Sequence, residues 1–192
     1  KYNTKMNMEI NPSEYKILIV DDVMSNVLLL KVLLTNEKFA IATANNGRQA
    51  LEQVDKERPD LLLLDVMMPD LSGFEVAQRL KSNPDTADIP IIFLTALNST
   101  TDIVKGFQAG ASDFISKPFN KEELIIRVTH QISLVAAKRI ILNKTEELQR
   151  IIAGRDKLYS VIAHDLRSPM GSIKMVLNML MLNLPVEKIG GE

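Results

Sequence analysis

Short apolar runs that end in polar residues recur along the first two thirds of the chain. The clearest run covers residues 61–64, four consecutive leucines, and is followed by Asp65. An unbroken apolar run of this length is typical of a strand in a parallel sheet that helices cover on both faces. Pro69 follows, and because proline cannot continue a central strand the chain must turn there. The pattern therefore predicts a strand that leaves the Asp65 carboxylate at the rim of a sheet; the alternative for a lone aspartate is a helix N-cap.

Three other apolar runs also end in polar side chains. They cover residues 16–20, 89–94 and 113–116, and they are followed by Asp21-Asp22, Thr95-Ala96 and Lys117-Pro118. The carboxyl ends of parallel strands face one ligand crevice. We therefore expect three acids, a hydroxyl group and a lysine to meet there, which is a set of groups that can hold a divalent cation and a phosphoryl group.

Segments of helical length alternate with these strands. They lie at about residues 25–38, 48–58, 73–82 and 100–109, with a second strand at 39–44 and a fifth helix that opens at Asn120, a favourable N-cap. Five such units predict an α/β fold with a doubly wound, five-stranded parallel sheet. The polar residues 1–13 show no periodicity and predict a flexible lead-in.

The fifth helix is predicted to run far beyond the sheet, to about Asn183, with Pro169 as the one proline inside it. An apolar stripe with a seven-residue repeat runs along this helix. It is formed by Leu134, Ile141, Leu148 and Ile162, with Ile152, Tyr159 and Leu166 on the companion positions. Three polar residues interrupt the repeat: Lys138, Thr145 and Arg155. This repeat favours a coiled coil and therefore a homodimer, with a solvated long helix as the alternative. Four further apolar residues are expected to lie in a core: Met175, Met179, Leu180 and Leu182. His130, in the same helix, is expected to have a structural role.

Composition excludes several classes of function. The 192 residues carry a formal net charge of −1 and no strong basic run, which argues against a nucleic-acid surface. Cysteine is absent, so disulfides and zinc–cysteine sites are excluded, and a cytoplasmic protein is expected. No apolar run reaches the ~18 residues of a membrane-spanning helix, and no signal peptide is recognisable. Because the chain begins at Lys1, we expect it to be a fragment.

Taken in this order, the motifs are similar to those of the receiver domain of two-component response regulators. The resemblance covers residues 14–136 and rests on Asp21-Asp22, Asp65 with the Met-Met-Pro turn and Gly73, Thr95-Ala96, Phe114 and Lys117-Pro118. It implies a flavodoxin-like fold and a cognate histidine kinase or phosphotransfer protein as partner.

The resemblance also implies a role for each site residue. Asp65 is expected to be the nucleophile that accepts a phosphoryl group. Asp22, Asp65 and the backbone carbonyl of Met67 are expected to bind Mg²⁺, with Asp21 acting mainly through water. A divalent cation relieves the repulsion among such acids.

Three further roles follow from the same resemblance. Lys117, joined to Pro118 by a cis bond, is expected to pair with the phosphoryl oxygens. Thr95 is expected to donate its hydroxyl to the phosphoryl group, and Phe114 to turn inward behind it.

Residues 159–169, with the sequence YSVIAHDLRSP, resemble the phosphoacceptor motif of histidine kinase dimerisation domains. The resemblance implies that His164 is a second phosphoacceptor and that Asp165 is its general base. Helical geometry places His164 about 200° from Ile162, so its imidazole is expected to point away from the apolar stripe. Pro169 cannot donate a backbone hydrogen bond and is expected to loosen the helix one turn beyond His164.

The whole chain is therefore interpreted as an N-terminal part of a cytoplasmic hybrid histidine kinase. Its expected segments are a lead-in (1–13), a receiver domain (14–136), a coiled-coil linker (137–157) and the first helix of a dimerisation domain (158–192). ATP is expected to act only in a kinase domain outside this chain, and no membrane or nucleic acid is expected as a partner of this segment.

Two alternatives remain open. In one, the chain is a non-enzymatic dimerisation module gated by phosphorylation, and His164 is vestigial. In the other, it is a phosphorelay intermediate whose His164 receives phosphate from another receiver. An unbroken helix from Lys121 to His164 would span roughly 65 Å, so the phosphate on Asp65 is expected to act as a signal rather than to be passed to His164.

Overall fold

The computed structural model describes residues 10–96 and 100–182. Five strands form one sheet: β1 (Lys16–Val20), β2 (Ala40–Ala44), β3 (Leu61–Asp65), β4 (Ile91–Thr95) and β5 (Asp113–Ser116). Five helices alternate with them: α1 (Met24–Asn36), α2 (Gly47–Glu57), α3 (Gly73–Ser82), α4 (Thr100–Gln108) and α5 (Lys121–Leu182). All neighbouring strands are parallel and their order is β2-β1-β3-β4-β5. The predicted doubly wound α/β fold of the flavodoxin-like type is confirmed.

The two faces of the sheet carry separate apolar cores because successive strand residues point to opposite sides. One face packs on α1 and α5, through Ile17, Ile19, Leu61, Leu63, Leu30, Leu34, Leu124 and Val128. The other packs on α2 and α3, through Leu18, Leu62, Leu64, Phe93, Ala50, Val54, Val76 and Leu80. Every residue of β3 is buried, as expected for a central strand covered on both faces.

The observed ends of the elements differ from the predicted ones by one or two residues at most. β4, for example, begins at Ile91 rather than Ile89, since Pro90 has no N–H to donate to the ladder. The predicted N-cap of α5 is confirmed, because the Asn120 side chain accepts a hydrogen bond from the Glu123 N–H at 2.9 Å. Local sequence signals therefore set the helix starts here.

The predicted flexible lead-in is only partly within the described residues, since residues 1–9 lie outside them. Its described residues, 10–13, make defined local contacts. A single 3-10 turn (Pro12–Glu14) follows Asn11, whose side chain accepts a hydrogen bond from the Ser13 N–H. Ile10 packs against the core beside α1 and α5, which ties this end of the segment to the sheet.

The chain divides into two compact units, Lys1–Arg139 and Ile140–Glu192. In the first unit α5 packs on the sheet through residues spaced four apart, namely Leu124, Val128, Ile132 and Ala136. His130, expected to be structural, lies on the outer side of this segment and is exposed. It therefore supports no core.

In the second unit the described residues form the remainder of α5, which stays helical on both sides of Pro169. The apolar stripe is exposed, with Ile141 64% and Leu148 58% accessible. Met175, Met179 and Leu180 are also exposed, contrary to the prediction that they are core residues, because no other described part of this unit packs on them. The side chains of Leu166 and Leu182 lie outside the described residues. Among the described residues, no helix combines the length and apolar character needed to cross a membrane.

Candidate acidic site at the carboxyl edge of the sheet

The polar residues that follow the strands converge at one edge of the sheet, as the sequence predicts. The register aligns Val20 with Leu64, Asp65 with Leu94 and Thr95 with Ser116. The chain order of the strands reverses between β1 and β3, and a crevice forms at such a switch point in open α/β sheets. The polar residues that end β3 and β4 and those that follow β1 and β5 therefore face a common crevice.

Three carboxylates lie together in this crevice. Asp21, Asp22 and Asp65 each place one oxygen within 4.8 Å of the others. Asp21 and Asp65 are buried, whereas Asp22 is exposed. Carboxylate oxygens are the ligands preferred by Mg²⁺ and Ca²⁺, so the donor set fits a hard divalent cation.

Lys117 bridges two of these acids. Its Nζ lies 2.7 Å from Asp21 Oδ2 and 2.9 Å from Asp65 Oδ2, and the Lys117–Pro118 peptide bond is cis, as expected. Burial acts to lower the pKa of Lys117, but the hydrogen bonds to Asp21 and Asp65 outweigh it, and the net effect is a raised pKa. The lysine therefore stays charged and offsets the repulsion between the two buried acids.

The surroundings of the Asp65 carboxylate raise its pKa above the ordinary value. Burial is the largest cause of its raised pKa, and the neighbouring charge of Asp21 acts in the same direction. The hydrogen bond from Lys117 opposes this rise, as does a weaker one from the Met67 N–H at 3.4 Å. Asp65 is thus a partly desolvated carboxylate beside a fixed cation, an arrangement suited to nucleophilic attack.

Asn26 is a site residue that sequence reasoning missed. Its Nδ2 donates to both oxygens of Asp21, at 3.1 Å and 3.0 Å, and Asp21 Oδ1 also accepts from the Val23 N–H at 2.9 Å. These bonds hold the Asp21 side chain in one orientation. The one available signal was a polar amide in the first turn of a largely apolar helix.

The remaining predicted residues surround this centre. Thr95 is buried at the end of β4, and its carbonyl accepts a hydrogen bond from the Lys117 N–H at 2.8 Å. The half-buried Phe114 ring packs between Phe93 and Phe107, at centroid distances of 5.8 Å and 4.8 Å. The Met67 side chain is exposed beside the crevice.

Gly73 matters because of a close backbone approach. A Cβ atom at this position would collide with the Asp65 carbonyl oxygen. The Gly73 N–H also donates to the Val66 carbonyl at 3.1 Å. Glycine therefore allows α3 to begin directly against the end of β3.

His164 belongs to the second unit and is described by itself. Its side chain is 84% exposed, and because the stripe residues of this unit are exposed as well, this exposure does not test the predicted orientation away from the stripe. Its Nδ1 lies 3.3 Å from Asp165 Oδ1 on the neighbouring residue. The imidazole is therefore reachable and has a carboxylate beside it.

Comparison with known proteins supports the fold and shows the family of the chain. The family model described as "Response regulator receiver domain" matches residues 17–129. The response regulator PleD of Caulobacter vibrioides is 42% identical over 140 residues, which are 73% of this chain and 30% of PleD. The DNA-binding response regulator MtrA of Mycolicibacterium paratuberculosis is 42% identical over 113 residues, 59% of this chain and 49% of MtrA. The chain thus spans at most about half the length of these relatives.

Solved structures agree. A putative response regulator from Chloroflexus aurantiacus matches with a TM-score of 0.60 and 34% identity, over 62% of this chain and 98% of that one. The signal receiver domain of a signal transduction histidine kinase from Syntrophus aciditrophicus matches with a TM-score of 0.57 and 34% identity, over 64% of this chain and 91% of that one. With its strand order, its acidic crevice and the match over residues 17–129, this chain belongs to the response regulator receiver domain family.

Proposed function

We propose that this chain accepts a phosphoryl group on Asp65 in a reaction that requires Mg²⁺. The observation that carries the proposal is the position of Lys117 Nζ, within 3 Å of both Asp21 and Asp65 at the edge where Asp22 also lies. A cationic group beside a partly desolvated carboxylate can balance charge on an incoming phosphoryl group.

Asp22, Asp65 and the backbone carbonyl of Met67 are the proposed Mg²⁺ ligands, with Asp21 acting mainly through water. Asp22 is exposed and so can bind an ion without first losing a protein partner, whereas Asp21 is already held by Asn26 and Lys117. When bound, the ion supplies positive charge that neutralises the phosphoryl oxygens.

In the proposed reaction a carboxylate oxygen of Asp65 attacks the phosphorus of the donor. The new O–P bond forms as the bond between phosphorus and the donor's leaving group breaks, and the leaving group departs with the bonding electrons. Lys117 then pairs with a phosphoryl oxygen, and Thr95 donates its hydroxyl to another. Phe114 moves inward behind Thr95, which alters the surface formed by α4, β5 and α5.

The experiment is to incubate the chain with a small acyl phosphate and weigh the intact protein. We expect a gain of one phosphoryl group that requires Mg²⁺ and is lost in Asp65→Asn. Asp70→Asn is the matched control, because Asp70 is an exposed carboxylate on the loop that follows the same strand. An unchanged gain in Asp65→Asn, or a gain indifferent to metal chelation, contradicts the proposal.

We further propose that phosphorylated Asp65 signals through α5 to the region around His164 of a hybrid histidine kinase, with His164 as phosphoacceptor and Asp165 as its base. Three observations support this proposal. α5 is one helix from Lys121 to Leu182, His164 is exposed beside Asp165, and one matching structure is a histidine kinase receiver domain. The proposed segments are the receiver (14–136), the linker (137–157) and the dimerisation helix (158–192).

A second candidate is a non-enzymatic module in which phosphorylation gates dimerisation. The exposed apolar stripe on the second unit favours it, since contiguous exposed apolar surface commonly marks a site of protein–protein interaction. Incubating the chain with labelled ATP and a separate histidine kinase that has its own ATP site separates the two. Label on His164 favours the kinase, and label restricted to Asp65 favours the module.

A further inference from the structure

A second ordered polar centre lies where β1 and β3 begin, at the edge of the sheet opposite the acidic site. Asp60 precedes β3, and its side chain is only 8% exposed. Its Oδ2 accepts a hydrogen bond from the Lys16 N–H at 2.8 Å, and its own N–H donates to the Lys16 carbonyl at 2.7 Å. Asp60 is therefore fixed to β1 by two backbone contacts.

The other carboxylate oxygen of Asp60 binds a residue of α5. Asp60 Oδ1 accepts a hydrogen bond from Arg139 Nη2, and the Arg139 guanidinium lies over the Tyr15 ring at 5.3 Å from its centroid. Tyr15 is buried and packs with the core. A planar guanidinium can bond to a carboxylate and stack on a ring at once, which an ammonium group cannot do equally well.

Arg139 lies at the point where α5 stops packing on the sheet. Among the described residues, Ala136 is the last buried position on α5, and Arg139 is one turn further on. The first compact unit also ends at Arg139. The Asp60–Arg139 contact is thus the last one described that ties α5 to the sheet before its exposed part begins.

The neighbouring Lys138–Asp88 ion pair differs from the Asp60–Arg139 pair in the exposure of its carboxylate. Its atoms lie 2.7 Å apart, but the two side chains are 53% and 82% exposed, and ion pairs of that type contribute little. The Arg139 side chain is also 51% exposed, but its partner Asp60 is only 8% exposed, and removal of the partner of a largely buried charge costs more than removal of the partner of an exposed one. The two adjacent residues Arg139 and Lys138 therefore form a matched pair for comparison.

We propose that Asp60 and Arg139 are positioning residues that fix the last packed turn of α5 to the sheet, so that phosphorylation of Asp65 changes the start of the linker helix. Without this anchor, the turn that follows Ala136 separates from the sheet and the linker no longer senses the receiver. The signalling half of this proposal rests on the proposed phosphorylation of Asp65, whereas the anchoring half stands on the contacts alone.

The test is amide hydrogen exchange on the full chain, with and without Mg²⁺ and beryllofluoride, a phosphoryl mimic. The variants are Arg139→Gln, Asp60→Asn, Arg139→Lys and the control Lys138→Gln. In Arg139→Gln and Asp60→Asn we expect exchange over residues 136–146 to rise at least tenfold, with residues 61–65 unchanged. Arg139→Lys keeps the charge but loses the planar stack on Tyr15, so its exchange should lie between that of the unsubstituted chain and that of Arg139→Gln. Lys138→Gln should stay within about threefold of the unsubstituted chain.

The mimic should alter exchange over residues 136–146 in the parent chain and in Lys138→Gln, but not in Arg139→Gln. Labelling of Asp65 by acyl phosphate should remain equal in all four variants. The proposal is wrong if Arg139→Gln behaves like Lys138→Gln, if residues 61–65 exchange faster by the same factor, or if Arg139→Gln still responds to the mimic. If the unsubstituted chain takes no label on Asp65, the proposed function and the signalling half of this proposal are both wrong. The anchoring half is then still tested by hydrogen exchange of the variants without the mimic.

Discussion

The charge of Lys117 makes it possible to keep Asp21 and Asp65 together in a largely buried crevice. Each acid also needs partners that hold its orientation, and for Asp21 these are Asn26 and the Val23 N–H. The sequence predicts the acids because each follows an apolar strand. It could not predict Asn26, since one amide in a helix carries no pattern until the fold brings it beside Asp21.

At the residue scale, Asn26→Ala tests this supporting role. Asp21 then keeps only the Val23 N–H and Lys117 as partners, so its carboxylate is held less firmly beside the proposed metal ligands Asp22 and Asp65. We expect the apparent Mg²⁺ affinity, measured from the metal dependence of phosphorylation, to fall roughly tenfold. Asn36→Ala, at the exposed end of the same helix, should leave it unchanged. Equal affinities in both variants and the parent chain contradict the role.

At the scale of single elements, the start of α3 is stabilised by hydrogen bonds between neighbouring residues. α3 begins with a capping box in which the Ser72 Oγ accepts from the Glu75 N–H at 3.4 Å and the Glu75 carboxylate accepts from the Ser72 N–H at 2.9 Å. The sequence predicts α3 over residues 73–82, which is the extent that the structure shows, but the capping box itself was not predicted. By contrast, the Asp60–Arg139 contact joins residues 79 apart and no local pattern reveals it.

Ser72→Ala should raise the pKa of Glu75 towards its ordinary value. The Ser72 hydroxyl and N–H are the two largest causes that lower that pKa in the folded chain. Because the folded-state pKa is lowered, the contribution of Glu75 to stability is complete above about pH 4.5 and is lost as the pH falls through the folded-state pKa. An NMR titration of the Glu75 carboxyl carbon measures the change, and an identical titration in both proteins contradicts the capping box.

Gly73→Ala should destabilise the receiver by about 1–3 kcal/mol, the usual cost of forcing extra atoms into a packed region. The new Cβ collides with the Asp65 carbonyl and must displace the end of β3. Gly154→Ala is the control, because nothing lies within 4 Å of a Cβ there and alanine favours helix by about 0.5–1 kcal/mol. Urea unfolding distinguishes them, and equal midpoints would show that the close approach carries no cost.

At the scale of the whole molecule, the exposed apolar stripe raises the question of what covers it. The sequence predicts the stripe and the length of α5 from periodicity. It also predicts burial of Met175, Met179 and Leu180, but these side chains are exposed to the rest of the chain that the structure describes. Periodicity reports which residues need a partner, but a partner on another molecule lies outside the information that one folded chain carries.

If two copies pair along this stripe, Ile141→Asp and Leu148→Asp should each weaken self-association at least tenfold, because both residues lie on the stripe. Glu146→Gln, away from the stripe, is the control. Sedimentation velocity over a range of concentrations measures the association. Spin labels near Ile141 and Leu148 should also change their separation when beryllofluoride is added. A monomer at every concentration contradicts pairing.

The most direct test of the proposed chemistry is to locate the phosphoryl group. After treatment with acyl phosphate and Mg²⁺, borohydride reduction converts an aspartyl phosphate to homoserine, which peptide mass spectrometry can place in the sequence. We expect homoserine at position 65 alone, and none when the metal is chelated. Homoserine at another aspartate, or a labelled chain with none at position 65, contradicts the assignment of Asp65 as the phosphoacceptor.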